Sequence, residues 1–425
     1  MKSKRLFKII GACTVCTCLC APLSNAQHFH GWRGAGRDGI YHETGLLKTW
    51  AENGPQLLWE TLDAGKGYSS PVVAGDRLYI TGLNDDNDRE VFSAYTLDGK
   101  QLYRTTCGSP WNDSYIESRT TPTIVGDRAY VVSGMGEVAC IAVADGKIIW
   151  TVNGEKEFAR KQGNWGTSES PLVYDNKVFY TPGGDKTAMV ALDAATGKTV
   201  WESKPFNEFS AYVSPLLINH KGKRQIVGMT SGHVFGVNPD NGNIEWAFDD
   251  FGGDRTPENG GKISTNTPLF KDGRIFVCNG YNDASFMLEL NDDATSVKLL
   301  WRNSELDTHI GGFVLVNGII YGSNWINNGN GNWVAVDWNT GETRYENTWT
   351  GGKSKGSIIA ADNMLYCYDE RRGTVGLVNP DPEKFDVVSE FRITKGEGPH
   401  WAHPVIHNGT LYVRHGSALM AYKIK

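Results

Sequence analysis

Residues 170–201 read SPLVYDNKVFYTPGGDKTAMVALDAATGKTVW, and the spacing of their apolar residues decides the fold. Four short apolar runs are separated by three turn signals: Asp175-Asn176, Pro182-Gly183-Gly184-Asp185 and Thr196-Gly197-Lys198. Lys177-Val178-Phe179-Tyr180 and Ala188-Met189-Val190-Ala191-Leu192 alternate with a period of two, as strands do. Residues that tolerate positive φ stand at each reversal. The stretch is predicted to form a four-stranded antiparallel meander.

The rest of the chain repeats it. A small residue followed by proline opens most copies: Ser70-Pro71, Thr121-Pro122, Ser170-Pro171, Ser214-Pro215 and Thr267-Pro268, with His403-Pro404 as the last. Openings near Gly312-Phe313 and Gly356-Ser357 lack the proline. Successive openings lie roughly 44 to 53 residues apart, the length of one propeller blade. Eight copies follow from the count. The last copy has three strands (Val405-Ile406, Thr410 to Arg414, Leu419 to Ile424), whereas Leu57-Leu58-Trp59-Glu60 is an orphan strand ahead of the first copy. Pairing these ends would close the ring and remove its exposed edge. The expected fold is all-β, an eight-bladed β-propeller of four-stranded antiparallel blades over residues 56–425, closed by an N-terminal strand.

Each copy ends alike. ALDAATGKTVW (191–201) has the form A-x-D-x-x-T-G-x-x-x-W, AVDWNTGETRY (335–345) matches it with tyrosine last, and GVNPDNGNIEW (236–246) with asparagines. Shortened forms end at Tyr103 and Trp150, looser ones at Trp301 and Phe391. The Thr-Gly pair makes a hairpin, the Asp accepts turn amides, and the final ring is placed to wedge between neighbouring sheets. This motif resembles the tryptophan-docking repeat of the pyrroloquinoline-quinone (PQQ) propeller superfamily. The WRGAGRDG stretch (32–39) also resembles that of secreted bacterial PQQ-like repeat proteins.

Residues 1–26 read as a secretory signal: a basic start (Lys2, Lys4, Arg5, Lys8), an apolar run from Ile9 to Leu23, and Ser24-Asn25-Ala26 with small residues before the cut. The apolar run is short for a membrane span. Ile10-Gly11-Ala12-Cys13 loosely resembles a lipobox. An exported protein, periplasmic or extracellular, is expected, with no transmembrane segment in the mature chain. Without the leader, 38 basic residues stand against 48 acidic, a net charge of −10 that disfavours nucleic-acid partners. Cys107, Cys140, Cys278 and Cys367 remain, with neither zinc-site nor disulfide-framework spacing; a Cys107–Cys140 bridge stays open. Residues 27–55 form a non-repeating extension, in which the glycine-punctuated stretch WRGAGRDG (32–39) is expected to pack over one end of the domain. His28 and His30, near the new terminus, are expected to be mobile rather than metal ligands.

Short turns join strands one and two and strands three and four, while long loops join blades or strands two and three. In an up-and-down blade the long loops share one face, the expected binding face. Residues just before each inner strand should ring the channel mouth there: Tyr68, Arg119, Trp165, Glu169, Tyr212, Asn266, His309, Lys355, His400, Trp401 and His403. Aromatics, a few cations and a carboxylate suit an anionic or aromatic ligand or a peptide segment.

GxSxG, P-loop, HExxH and EF-hand signatures are absent. The acidic NDDNDRE run (84–90) reads as a solvated hairpin tip. His309, His400, His403 and His415 are candidates to converge near the seam. The leading reading is a non-catalytic binding or scaffold protein, similar to the propeller lipoprotein of the outer-membrane assembly machinery (BamB-like). It would be monomeric, bind a protein partner or small ligand at the long-loop face, and need no cofactor. Resemblance to quinoprotein dehydrogenases implies the alternative, an alcohol or sugar dehydrogenase carrying PQQ with calcium. Trp165 or Trp401 would then floor the quinone and Glu169, Asn266 or Asp307 touch calcium, although that family's adjacent cysteine pair is missing. A third reading is carbohydrate binding or processing at Trp111, Trp325 and Trp333.

Overall fold

A computed structural model describes residues 29–252, 263–349 and 351–425; the proposed leader and His28 lie outside them. Eight antiparallel sheets surround a central channel. Blades 1 to 7 span residues 72–108, 123–153, 172–202, 216–248, 269–303, 313–347 and 356–392, and blade 8 spans 405–423. Gly154–Phe158 is the one helix among the described residues. In blade 3 the strands are Leu172–Tyr174, Lys177–Tyr180, Val190–Asp193 and Thr199–Glu202. Its first turn places Asp175 and Asn176 at φ 48° and 56°, the left-handed pair of a tight hairpin.

The Thr-Gly turn has a second cause besides hairpin geometry. A Cβ on Gly242 would stand 2.6 Å from the Trp201 ring, and one on Gly197 2.7 Å from Trp150. Each ring belongs to the outer strand of the preceding blade, and its indole N–H reaches a carbonyl beside that turn: Trp201 to Pro239 and Trp150 to Ala194, each at 3.1 Å. The glycine is therefore the seat of its neighbour's ring. Tyr103 on Gly146 and Trp301 on Gly341 repeat the arrangement. Apolar side chains from facing sheets fill the space between blades, as in the cluster joining Tyr366 and Leu377 of blade 7 to Leu411 and Met420 of blade 8.

The ring closes as the strand count requires. Gln56–Thr61 pairs antiparallel with Ala418–Lys423, aligning Trp59 with Ala421. Trp59 then docks on blade 1, its indole donating to Leu97 O at 2.7 Å and its ring lying against Gly99. Arg414 of blade 8, fully buried, seals the same seam. Its guanidinium donates to Ser69 O (3.0 Å), Thr81 O (2.8 Å) and Gly65 O (2.7 Å) of the incoming segment and blade 1.

The non-repeating extension runs along the channel, and its 32–39 loop lies at the channel mouth, where Trp32 joins the cavity lining. Phe29–His30 pairs antiparallel with the inner strand of blade 2, so His30 is held in a strand and is not a mobile terminus. The chain then reverses through residues 32–39, and Ile40–Tyr41 runs parallel to the inner strand of blade 7. Arg33 and Arg37 take left-handed backbone at φ 60° and 54°. Arg33 donates to Ile358 O and Phe313 O, and Arg37 to Ser170 O, Pro171 O and Pro215 O. The carbonyls where inner strands begin would otherwise stay unpaired in the buried channel, and the two guanidiniums bind them across the ring. Burial lowers both arginines to about 10, still charged at neutral pH. Beyond the channel, Trp50 packs on Tyr366 and Phe391, and the chain continues into the strand that closes blade 8.

Candidate functional site

A cavity of about 470 Å³ opens at the channel mouth on the long-loop face. Tyr68, Arg119, Trp165, Tyr212, His309, Trp401 and His403 line it, as the positions before inner strands should. Trp32, from the arm that fills the channel, joins the lining and meets His403 edge-on at 5.5 Å. The rings form a nearly continuous wall. Tyr68 and Tyr115 lie 4.8 and 5.0 Å from Trp401, Tyr281 lies 5.2 Å from Trp325, and Trp165 is parallel to Tyr281 at 6.3 Å.

Glu169, Asn266, Lys355 and His400 do not line the cavity, and each has a local task. Glu169 is buried and accepts the Thr181 amide at 3.1 and 3.2 Å through its two oxygens. Burial pushes it up to about 8, against the Thr181 bonds and Arg37. The Asn266 amide donates to Thr308 O and His309 O, and its oxygen accepts Gly312 N. Lys355 is buried in an ion pair with Glu370, just behind His309. His400 stacks on His415 at 3.5 Å and lies 2.5 Å from the Tyr368 hydroxyl. Sequence adjacency to the inner strand was a sound guide to height in the ring, but not to which way each side chain turns.

The proposed convergence of histidines takes a different form. His403 lies 2.9 Å from Arg33 Nη1 and 2.9 Å from Ile310 O, His415 meets the carbonyls of Lys395 and Gly398, and His309 meets Tyr281. Their ring nitrogens are committed to the protein. Among the described residues no group of three His, Cys, Asp or Glu side chains is arranged to hold a metal. All four remaining cysteines are free and buried.

Tyr115, Tyr281 and Trp325 are among the cavity residues that adjacency to inner strands missed, although Trp325 had been singled out for sugar stacking. All three sit on the long loops whose common face was legible. Trp333, by contrast, is a core residue, stacked on Phe385 at 5.0 Å. Tyr115 and Tyr281 hold left-handed backbone at φ 55° and 59°, costly for aromatic residues. Asp307 supports the second of these. Its carboxylate accepts Asn282 N and Trp325 N, both at 2.8 Å, and so fixes the two loops that carry Tyr281 and Trp325.

These contacts also test the calcium-held quinone. The oxygen donors assigned to calcium (Glu169, Asn266, Asp307) are committed to backbone partners and stand outside the lining. Among the described residues no carboxylate appears in that lining. The described residues do not fit a calcium ion beside a quinone.

The family model described as outer membrane protein assembly factor BamB (PQQ_2) matches residues 98–347. An outer membrane protein assembly factor BamB of Alkalilimnicola ehrlichii is 25% identical over 183 residues, 42% of this chain and 42% of its own. A 1-butanol dehydrogenase (quinone) of Thauera butanivorans is 30% identical over 130 residues, 28% of this chain and 20% of its own. The chain thus spans less than half the length of these curated relatives. The crystal structure of BamB from Moraxella catarrhalis superposes with a TM-score of 0.63 at 15% identity, covering 87% of this chain and 99% of that one. At that identity the likeness is one of fold. No helix among the described residues is long and apolar enough to cross a membrane.

Proposed function

The chain belongs to the family of the outer membrane protein assembly factor BamB, and on that premise we propose that it is an exported, non-catalytic binding propeller. Its long-loop face captures a protein segment or small ligand at the aromatic cavity. One observation carries this reading: the cavity is walled by rings and N–H donors, with no carboxylate among the described residues of its lining to act as base or metal ligand. A rigid ring of blades that holds strained aromatic loops in place suits recognition. The leader-like start supports export to the periplasm or beyond.

The test pairs capture with turnover. Purified protein is probed on peptide and glycan arrays, then supplied with PQQ and calcium and assayed for dye-linked oxidation of alcohols and sugars. The binding reading expects specific capture that falls in Trp165→Ala and Trp401→Ala, and no oxidation. Sustained turnover with PQQ and calcium would overturn it.

A further inference from the structure

We propose that the cavity selects a small ring-shaped carboxylate, its ring against the aromatic wall and its carboxylate on Arg119 and the Tyr281 hydroxyl. This deepens the binding reading and rests on it. Hydrogen-bond polarity sets this preference, beginning with the side chains behind the wall. Lys355 is buried and paired with Glu370, so it is held as an ammonium, which only donates. Its Nζ lies 3.2 Å from His309 Nδ1, whereas Glu370 Oε2 stands 3.6 Å from the same nitrogen, outside hydrogen-bond range, so Nδ1 accepts from the ammonium. The neutral ring then carries its hydrogen on Nε2, 2.8 Å from the Tyr281 oxygen. Burial holds His309 down at about 3 and Lys355 at about 8, which keeps both in these states at neutral pH. The Tyr281 oxygen accepts from His309, so its own hydrogen is left for the cavity.

Among the described residues, Arg119 Nη1, Trp325 Nε1 and Trp401 Nε1 of the lining are buried without a hydrogen-bond partner. Glu117 bears on the Tyr68 hydroxyl from outside the lining, and its Oε2 is likewise buried without a partner. The buried carboxyl of Glu90 is taken up by Gly134 N and Ser118. Unpartnered donors in the lining call for a ligand that supplies acceptors, and a planar guanidinium favours a carboxylate above a hydroxyl. The ring walls call for a flat or CH-faced body beside that charge. A uronic acid and an aromatic acid share this chemistry.

Calorimetric titration separates the two sources. D-glucuronate is compared with D-glucose, and 4-hydroxybenzoate with 4-hydroxybenzamide, on the full protein and on Arg119→Gln and Tyr281→Phe. At least one acid should bind about tenfold or more tightly than its neutral partner, and both variants should erase that preference. The arm that binds names the source. Equal binding of acid and neutral forms, or a preference that survives in Arg119→Gln, overturns the proposal. So does absence of binding by both acids at millimolar concentration. Peptide or glycan capture that persists in that case would leave the broader binding reading standing, so the two failures are distinguishable. Tyr281→Phe keeps the ring and its packing, so loss of preference there reports the hydroxyl and not the fold.

Discussion

The channel and the cavity above it are built from similar parts put to opposite uses. In the channel, Arg33 and Arg37 sit in left-handed backbone and give their N–H groups to strand-end carbonyls of blades that face one another. In the cavity, Tyr115 and Tyr281 sit in equally costly backbone, yet Arg119 keeps Nη1 without a partner among the described residues. Strain plus satisfied donors makes a structural keystone, whereas strain plus donors left open makes a recognition site.

That contrast breaks first at Arg37. Arg37→Met would leave the carbonyls of Ser170, Pro171 and Pro215 buried and unpaired, and should cost about 3 kcal/mol or more by denaturant unfolding. Arg119→Gln should stay within about 1 kcal/mol of the parent. Similar losses in both would erase the distinction. Next comes the seam. Trp59→Ala removes a ring seated on Gly99 and its bond to Leu97 O, and should cost about 2 kcal/mol. Deletion of residues before Leu62 should lower the melting temperature further, because the edge of blade 8 is then exposed and Arg33 and Arg37 leave the channel. An unchanged melting temperature in that truncation would refute closure by this strand.

The blade architecture was legible because its signals are local: turn residues, period-two alternation and a recurring ring four residues after a glycine. Closure was legible by counting strands. The arm was not, because WRGAGRDG (32–39) carries no period, and its partners are backbone carbonyls that any sequence supplies. Arg414 was hidden for the same reason. Position along the strand gave the height of Glu169 and Lys355 in the ring, but their side chains turn toward Thr181 and Glu370, contacts that exist only once the blades are packed.

Acidity sharpens the contrast at Glu169. Its folded value of about 8 stands above the ordinary carboxyl range of about 4.3. The folded protein therefore keeps a proton that the unfolded chain has lost. The contribution is complete below about pH 4.5 and is lost as pH rises toward about 8. Relative to Glu169→Gln, the parent should lose stability steadily across that window in pH-dependent melts. A flat difference would place the carboxylate in a better-solvated setting. The smallest change is expected at Tyr115, which is half exposed. Tyr115→Gly relieves left-handed backbone and should gain up to about 1 kcal/mol, while weakening ligand capture through loss of the ring beside Trp401. Loss of stability in that variant would mean that the loop packs as structure and not as a recognition surface.

The most direct experiment follows the melting temperature of the parent and of Arg119→Gln, each with and without saturating D-glucuronate or 4-hydroxybenzoate. Both proteins should melt at nearly the same temperature alone, and only the parent should be raised by an acid. An Arg119→Gln protein that melts well below the parent on its own, or that is raised equally by the acids, would contradict the division between a channel that holds the ring and a cavity that binds.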